Sequence, residues 1–153
     1  NIVLSNSYTG NYSLSGTIRE VATGDFIDVR TTRTLRVVDP NTVSLYAGNI
    51  SERATNRENY RMNMTVNADS TLTFTPMHPD IIEIIRDEPN LDPKNPRNKI
   101  LVERTVDVQN SHKSYVVTTF YMYYNYIDKT DPAEPIEMRW EGTCSRTKTV
   151  FSK

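Results

Sequence analysis

The sequence predicts an all-β protein, an antiparallel up-and-down barrel of about eight strands. Three observations point there. Thr, Ser and Tyr are abundant, with nine Tyr against five Gly, and β-branched and aromatic side chains suit a pleated, half-buried surface. Apolar residues recur with period two rather than 3.6. Polar turn signals separate these runs at short intervals, and strands joined by short turns pair antiparallel. A sheet of this size closes or folds into two layers to remove its edges, so a β-sandwich is the alternative architecture.

Each element has its own signal. From Asn11 to Val21, Tyr12, Leu14, Gly16 and Ile18 alternate with Ser13, Ser15, Thr17 and Arg19, and 22–25 reads as a turn. The next run places Ile27, Val29, Leu35 and Val37 on one parity, with Arg33 as the misfit. The clearest hairpin lies at 60–75. Tyr60, Met62, Met64 and Val66 form one face, Asn67-Ala68-Asp69-Ser70 supplies a tight reversal, and Leu72 and Phe74 resume the pattern. Five of the eight prolines fall in 76–98, and proline cannot donate to a ladder. Within that stretch 81–85 reads as a short buried strand, with one helical turn as the alternative, and 87–98 as a long exposed loop. Ile100, Val102, Val106 and Val108 mark a strand at 99–109, followed by a turn at 110–113. The run 115–126 is apolar or aromatic on both faces. The last run, 136–146, alternates Ile136, Met138 and Trp140 with Glu137, Arg139 and Glu141. Met62, Met64, Met122, Met138, Leu14, Leu72, Phe74 and Trp140 all fall on inward parities, which predicts a filled interior rather than an open cavity.

Composition narrows the function classes. Eighteen basic residues against nineteen acidic ones leave nothing built to neutralise phosphates, so nucleic acid is not an expected partner. No stretch approaches the roughly 20 apolar residues of a spanning helix. The chain opens on Asn1, which reads as a processed product or an excised fragment. His78 and His112 stand alone, without zinc spacing, and no cofactor is implied. Asp87, Asp92, Asp128 and Asp131 sit in turn-rich stretches and read as solvated loop carboxylates. Tyr12-Ser13-Leu14-Ser15-Gly16 lacks the first glycine of a nucleophile elbow. Cys144 shares the parity of Trp140 and reads as a small buried hydrophobe. Arg33 and Arg104 occupy otherwise apolar parities, so each either enters the barrel or marks a strand end, and strand end is the preferred reading. The reading is therefore non-enzymatic, with a carboxylate-based glycoside hydrolase and a small-molecule carrier with a barrel cavity as the alternatives.

Aromatic residues are the one concentration that stands out. Phe120, Tyr121, Tyr123, Tyr124 and Tyr126 crowd one strand, with Trp140 on the next. Flat rings stack on sugars, and tyrosine adds a polar handle. The candidate ligand-binding residues are Tyr121, Tyr123 and Trp140. Core packing is the plainer account of Trp140, since a strand covered on both faces needs bulk on both. Tyr121 and Tyr123 share the outward parity. A bare aromatic pair needs cover, which we expect from the 76–98 loop or a preceding domain rather than from a glycan.

The opening Tyr8-Thr9-Gly10-Asn11-Tyr12, the hairpin from Met64 to Phe74, and the closing run from Tyr115 through Phe120-Tyr121-Met122-Tyr123-Tyr124-Asn125-Tyr126 together resemble the lipocalin-like (calycin-like) barrel domains at the C-terminus of surface lipoproteins of gut Bacteroidetes. The 76–98 stretch is longer than that pattern. The resemblance implies a single barrel over 1–153, the C-terminal module of a longer surface protein, following an N-terminal β-sandwich domain. It further implies a non-enzymatic module on the extracellular side of the outer membrane, reached through a lipid anchor outside this chain. Polysaccharide or oligosaccharide is the implied ligand. The family brings no catalytic residues to transfer.

Overall fold

The structure is a computed structural model and describes residues 7–152. Nine strands follow one another: β1 (Gly10–Glu20), β2 (Phe26–Asp39), β3 (Thr42–Tyr46), β4 (Arg61–Val66), β5 (Leu72–Pro76), β6 (Ile82–Arg86), β7 (Lys99–Val106), β8 (Lys113–Asp128) and β9 (Ile136–Phe151). A single 3-10 turn at Arg57–Tyr60 precedes β4, and no α-helix occurs among the described residues. The sheet runs β5-β4-β3-β2-β1-β9-β8-β6, with β7 also paired to β8. All pairings are antiparallel. The predicted all-β, nearly closed barrel is what forms.

β6 and β7 share one edge of β8. β6 pairs with Tyr124–Asp128 and β7 with Ser114–Tyr121. Together they make one stave, interrupted by the proline-rich loop. The barrel closes where β5 meets this broken stave. Leu72 N–H donates to the Asn98 carbonyl at 2.8 Å, Ile100 N–H to Ser70 at 3.0 Å, and the Arg86 guanidinium to the Leu72 carbonyl at 2.6 Å. β8 and β9 continue past the barrel, each 16 residues long. With the end of β7 they form a three-stranded apron.

The interior is filled, as the parities predict. Trp140, Tyr12, Tyr124 and Phe120 lie buried inside, with Leu14, Met62, Met64, Leu72 and Met122 around them, and Met138 packs half-buried against the cluster. The indole of Trp140 fits because Gly16 and Gly142 face each other across β1 and β9. A Cβ on Gly142 would sit 2.7 Å from the Gly16 Cα and 2.8 Å from Trp140 Cζ2, and closer still to the Ser15 carbonyl. The register runs through this pair without a bulge, which keeps Cys144 inward and buried. One mouth is plugged by the segment 47–60, where Gly48, at φ +55°, donates its N–H to the Tyr124 hydroxyl at 2.8 Å.

Four sequence-based assignments change. β3 carried no prediction, because five residues are too few for a period to register. β2 runs unbroken through Arg33, which is no strand end. Its guanidinium lies on the inward parity and donates to the Thr32 and Asn49 carbonyls at 3.0 and 3.1 Å. β7 stops at Val106, and Val102, Val106 and Val108 are exposed because the strand has left the barrel. The loop 87–98 is anchored rather than free: Asn98, in the left-handed region at φ 49°, is fully buried.

Candidate binding face beside the broken stave

β8 alternates strictly, so Tyr121, Tyr123 and Asn125 stand on the outer face while Phe120, Met122 and Tyr124 fill the core. Tyr121 lies between Lys99 and Thr143, and Tyr123 opposite Glu141. The structure brings Tyr121 and Tyr123 together on one surface and separates Trp140 from them by the thickness of the sheet. Trp140 is 0% exposed, so no ligand touches it in the folded barrel. The covering expected for the tyrosines is present over Tyr123. Arg97, from the proline-rich loop, holds its guanidinium 4.5 Å from the ring centroid, a cation–π contact. The same loop buries Lys99, whose ammonium donates to the Leu91 carbonyl at 3.2 Å.

Asp87 organises this face. It follows directly on β6 and accepts from Arg139 Nη1 and Nη2 at 2.5 and 2.7 Å and from Arg97 Nη1 at 2.8 Å. It is therefore no solvated loop carboxylate. The Arg139 hydrogen bond first, then both guanidinium charges, hold its carboxyl below the ordinary value of 3.8 against the opposing effect of burial. Arg139 also donates to Asn125 Oδ1 at 3.1 Å, and Asn125 Nδ2 donates to Glu137 at 2.6 Å. The result is a chain of charged and amide groups across β6, β8 and β9. Underneath, Asn98 repairs the ladder where the stave is broken. Its amide donates to the Asp87 and Tyr123 carbonyls at 2.8 and 2.9 Å and accepts from Tyr123 N–H at 2.8 Å.

A shallow groove of about 480 Å³ borders the chain of polar groups, lined by Arg19, Val21, Ile85, Asp87, Asn125 and Arg139. It offers paired donors and acceptors beside two exposed aliphatic side chains. Arg139 already faces Asp87 and Glu141, while Arg19 holds its guanidinium 5.2 Å from the Phe26 ring centroid and faces no carboxylate in any ion pair of the described residues. Catalytic chemistry finds less support. Asp87 carries no proton near neutrality, and burial pushes the Cys144 thiol up to about 12. Among the described residues no cluster of three or more His, Cys, Asp or Glu could hold a metal. No helix among the described residues is long and apolar enough to cross a membrane. Asp87, Arg97, Asn98, Asn125 and Arg139 were not legible as a group, since Asp87 and Arg139 lie 52 residues apart and meet only through the β6–β8–β9 register.

A family model described as "-like, C-terminal" matches residues 1–145. The chain belongs to that C-terminal domain family. No curated protein matches it. The barrel of this C-terminal domain is similar to solved structures from Bacteroides. A multidomain protein including DUF1735 from Bacteroides ovatus superposes with a TM-score of 0.74 at 22% identity, over 97% of this chain and 60% of that one. A protein of unknown function from the same organism gives 0.73 at 18%, over 96% and 48%. An auxiliary nutrient binding protein from Bacteroides thetaiotaomicron gives 0.64 at 17%, over 95% and 47%. At these identities the likeness is one of fold. The chain spans about half the length of the structures it resembles.

Proposed function

We propose that this domain is a non-enzymatic binding or accessory module of a surface protein, and that its outer face takes neutral oligosaccharide. The observation that carries the reading is the Asp87–Arg139–Asn125–Glu137 chain beside the open groove. Fixed polar groups on the same outer face as a half-buried tyrosine, four residues along β8 or about 13 Å away, give an extended chain of sugar rings both orientation and a stacking surface. Tyr121 is the stacking residue in this reading, because the Tyr123 ring already carries Arg97. A fold relative called an auxiliary nutrient binding protein fits the same role, as does the lipocalin-like surface-lipoprotein resemblance. The resemblance further implies placement on the extracellular side of the outer membrane, through a lipid anchor and beside an N-terminal β-sandwich domain of the same protein. The filled interior speaks against a small-molecule carrier, and the doubly paired Asp87 against a general acid of glycoside hydrolysis.

Calorimetric titration and a glycan array of neutral plant and host oligosaccharides test the proposal. Binding that is lost in Tyr121→Ala and Asn125→Ala at unchanged melting temperature is the expected result. Silence across the panel, or binding indifferent to both substitutions, overturns it.

A further inference from the structure

The apron at the far end of the barrel has an edge that nothing among the described residues closes. Asp107 N–H donates to Lys113 of β8, and Ile100 N–H donates away from β8, to Ser70. Alternation along an antiparallel strand then assigns the odd residues of β7 to β8 and turns the backbone groups of Val102, Arg104 and Val106 outward. No described residue pairs with those groups. Natural sheets blunt such an edge with proline, a bulge, a covering loop or charged side chains; β7 has no proline and no bulge between Leu101 and Val106, and its charges there are Glu103 and Arg104.

The side chains flanking this edge have a definite chemistry. Val102 and Val106 are 54% and 56% exposed, with Arg104 between them on the same face. Behind them lies a concave groove of about 340 Å³, lined in part by Val116, Thr118, Lys148 and Val150. Arg146 at its floor is engaged by the Thr9 and Ser7 carbonyls and by the Tyr12 ring. Arg104 donates to Ser114 Oγ at 3.1 Å and, like Lys148, faces no carboxylate in any ion pair of the described residues. The face is therefore apolar, cationic, apolar along the free edge, with a second cation behind.

We infer that β7 receives an added strand from a partner polypeptide, one whose groove-facing residues read apolar, acidic, apolar at alternate positions. The backbone of Val102, Arg104 and Val106 supplies the ladder, as in β-strand addition generally. The two valines meet the partner's apolar residues, and Arg104 with Lys148 meets its carboxylate. The charge pattern sets the specificity, because a like charge directly opposite is destabilising in a strand pair. This inference does not depend on the oligosaccharide reading, which concerns the outer face at the other end of β8.

Two blocked heptapeptides serve as probes, Thr-Val-Thr-Glu-Thr-Val-Thr and its Lys-centred twin, titrated into the isotopically labelled domain. The expected result has three parts. Only the Glu-centred peptide binds, and it slows amide exchange at Val102, Arg104 and Val106. Arg104→Glu reverses the preference between the two peptides, by about fivefold or more for an exposed charge pair changed from attraction to repulsion. Val106→Pro, which removes an outward N–H without touching the β8 ladder, abolishes binding at unchanged melting temperature. Equal binding of both peptides, or none, overturns the inference. So does slow exchange of those three amides in the free domain or concentration-dependent self-association through β7, since either means the edge is already occupied.

Discussion

Adding one methyl group at Gly142 is the severest test of how this barrel is packed. A Cβ there meets the Gly16 Cα at 2.7 Å and Trp140 Cζ2 at 2.8 Å, and it presses still closer on the Ser15 carbonyl. Two of the three obstacles are backbone of the neighbouring strand, which cannot rotate away. Relief requires β1 and β9 to separate at the centre of their pairing. Inserting a methylene into a filled core typically costs 1–3 kcal/mol, and a backbone obstacle places Gly142→Ala at the top of that range, about 3 kcal/mol. For a domain of this length each kcal/mol moves the midpoint by about 2–4 °C, so the expected fall in Tm is about 6–12 °C. Urea denaturation followed by Trp140 fluorescence gives the free energy, and calorimetry the Tm. Gly16→Ala should behave alike, since its Cβ meets Gly142 Cα at 2.7 Å and Trp140 Cζ2 at 3.0 Å. Thr17→Ala, on the outer face beside them, should stay within about 0.5 kcal/mol. In a Trp140→Phe background, which shortens the ring and is followed by circular dichroism because no other tryptophan exists, the Gly142→Ala loss should shrink by about 1 kcal/mol through direct coupling. Losses below about 1 kcal/mol at both glycines would refute the account of why the indole fits.

Asn98→Ala removes the side-chain partner of the Asp87 carbonyl and the Tyr123 N–H and leaves the Tyr123 carbonyl with the Asp87 N–H alone, and should cost about 2–4 kcal/mol; Asn98→Asp, which loses both donors and buries a charge, should cost more, as chemical denaturation will show. Tyr124→Phe strands the buried Gly48 N–H and should cost about 1–3 kcal/mol, whereas Tyr12→Phe, whose hydroxyl has no protein partner among the described residues, should change stability by less than about 1 kcal/mol. The depressed Asp87 carboxyl contributes stability that is complete above its ordinary value of 3.8 and is lost as pH falls through its lowered folded value. Asp87→Asn should therefore lower Tm at pH 7 and flatten the acid limb of the Tm–pH curve; an unchanged acid limb would remove Asp87 as its source. Cys144 should react with a thiol reagent only at the rate of opening, so its labelling should accelerate in step with added urea.

The fold was legible because the barrel interior is a parity code. Tyr12, Leu14 and Ile18, or Met62 and Met64, announce an inward face with no knowledge of the partner strand. The filled interior followed from the size of those residues. The candidate face was not legible for the same physical reason. Outward positions accept almost any polar residue, so Asn125, Glu137 and Arg139 look like ordinary solvated surface until the register sets them beside one another. Arg33 misled because a guanidinium on an apolar parity suggests a strand end, whereas its length lets the charge reach the carbonyls at the mouth. The valines of β7 misled in the opposite sense. Val102 and Val106 keep the period of a buried strand, and only the lengths of β8 and β9 reveal that the strand has passed the end of the core. Tyr121 and Tyr123 were placed on the correct face, but the residue covering Tyr123 is a single arginine at the end of a loop, and no periodicity marks it.

The broken stave explains why the polar groups gather where they do. Had β6 continued into β7, Tyr123 would have paired with ordinary backbone and nothing would set its neighbours apart. The interruption leaves one N–H and one carbonyl of β8 in need of partners, and a buried, unpaired backbone group is costly. Asn98 answers with a side-chain amide at a left-handed φ that asparagine tolerates better than most residues, and Asp87 N–H adds a bond to the Tyr123 carbonyl at 3.1 Å. Fixing those two backbones fixes where the chain leaves and rejoins the sheet. Asp87 is then held at the gap with its carboxylate toward Arg139, and Arg97, one residue before Asn98, has its guanidinium over the Tyr123 ring. The ends of the loop are stitched both to β8 and to each other: Asp87 accepts from Arg97 and Asn98, and Asn90 and Arg97 exchange backbone hydrogen bonds at 2.9 and 3.0 Å. The loop projects from these anchors, while the geometry of Asp87, Arg139 and Asn125 stays with the barrel.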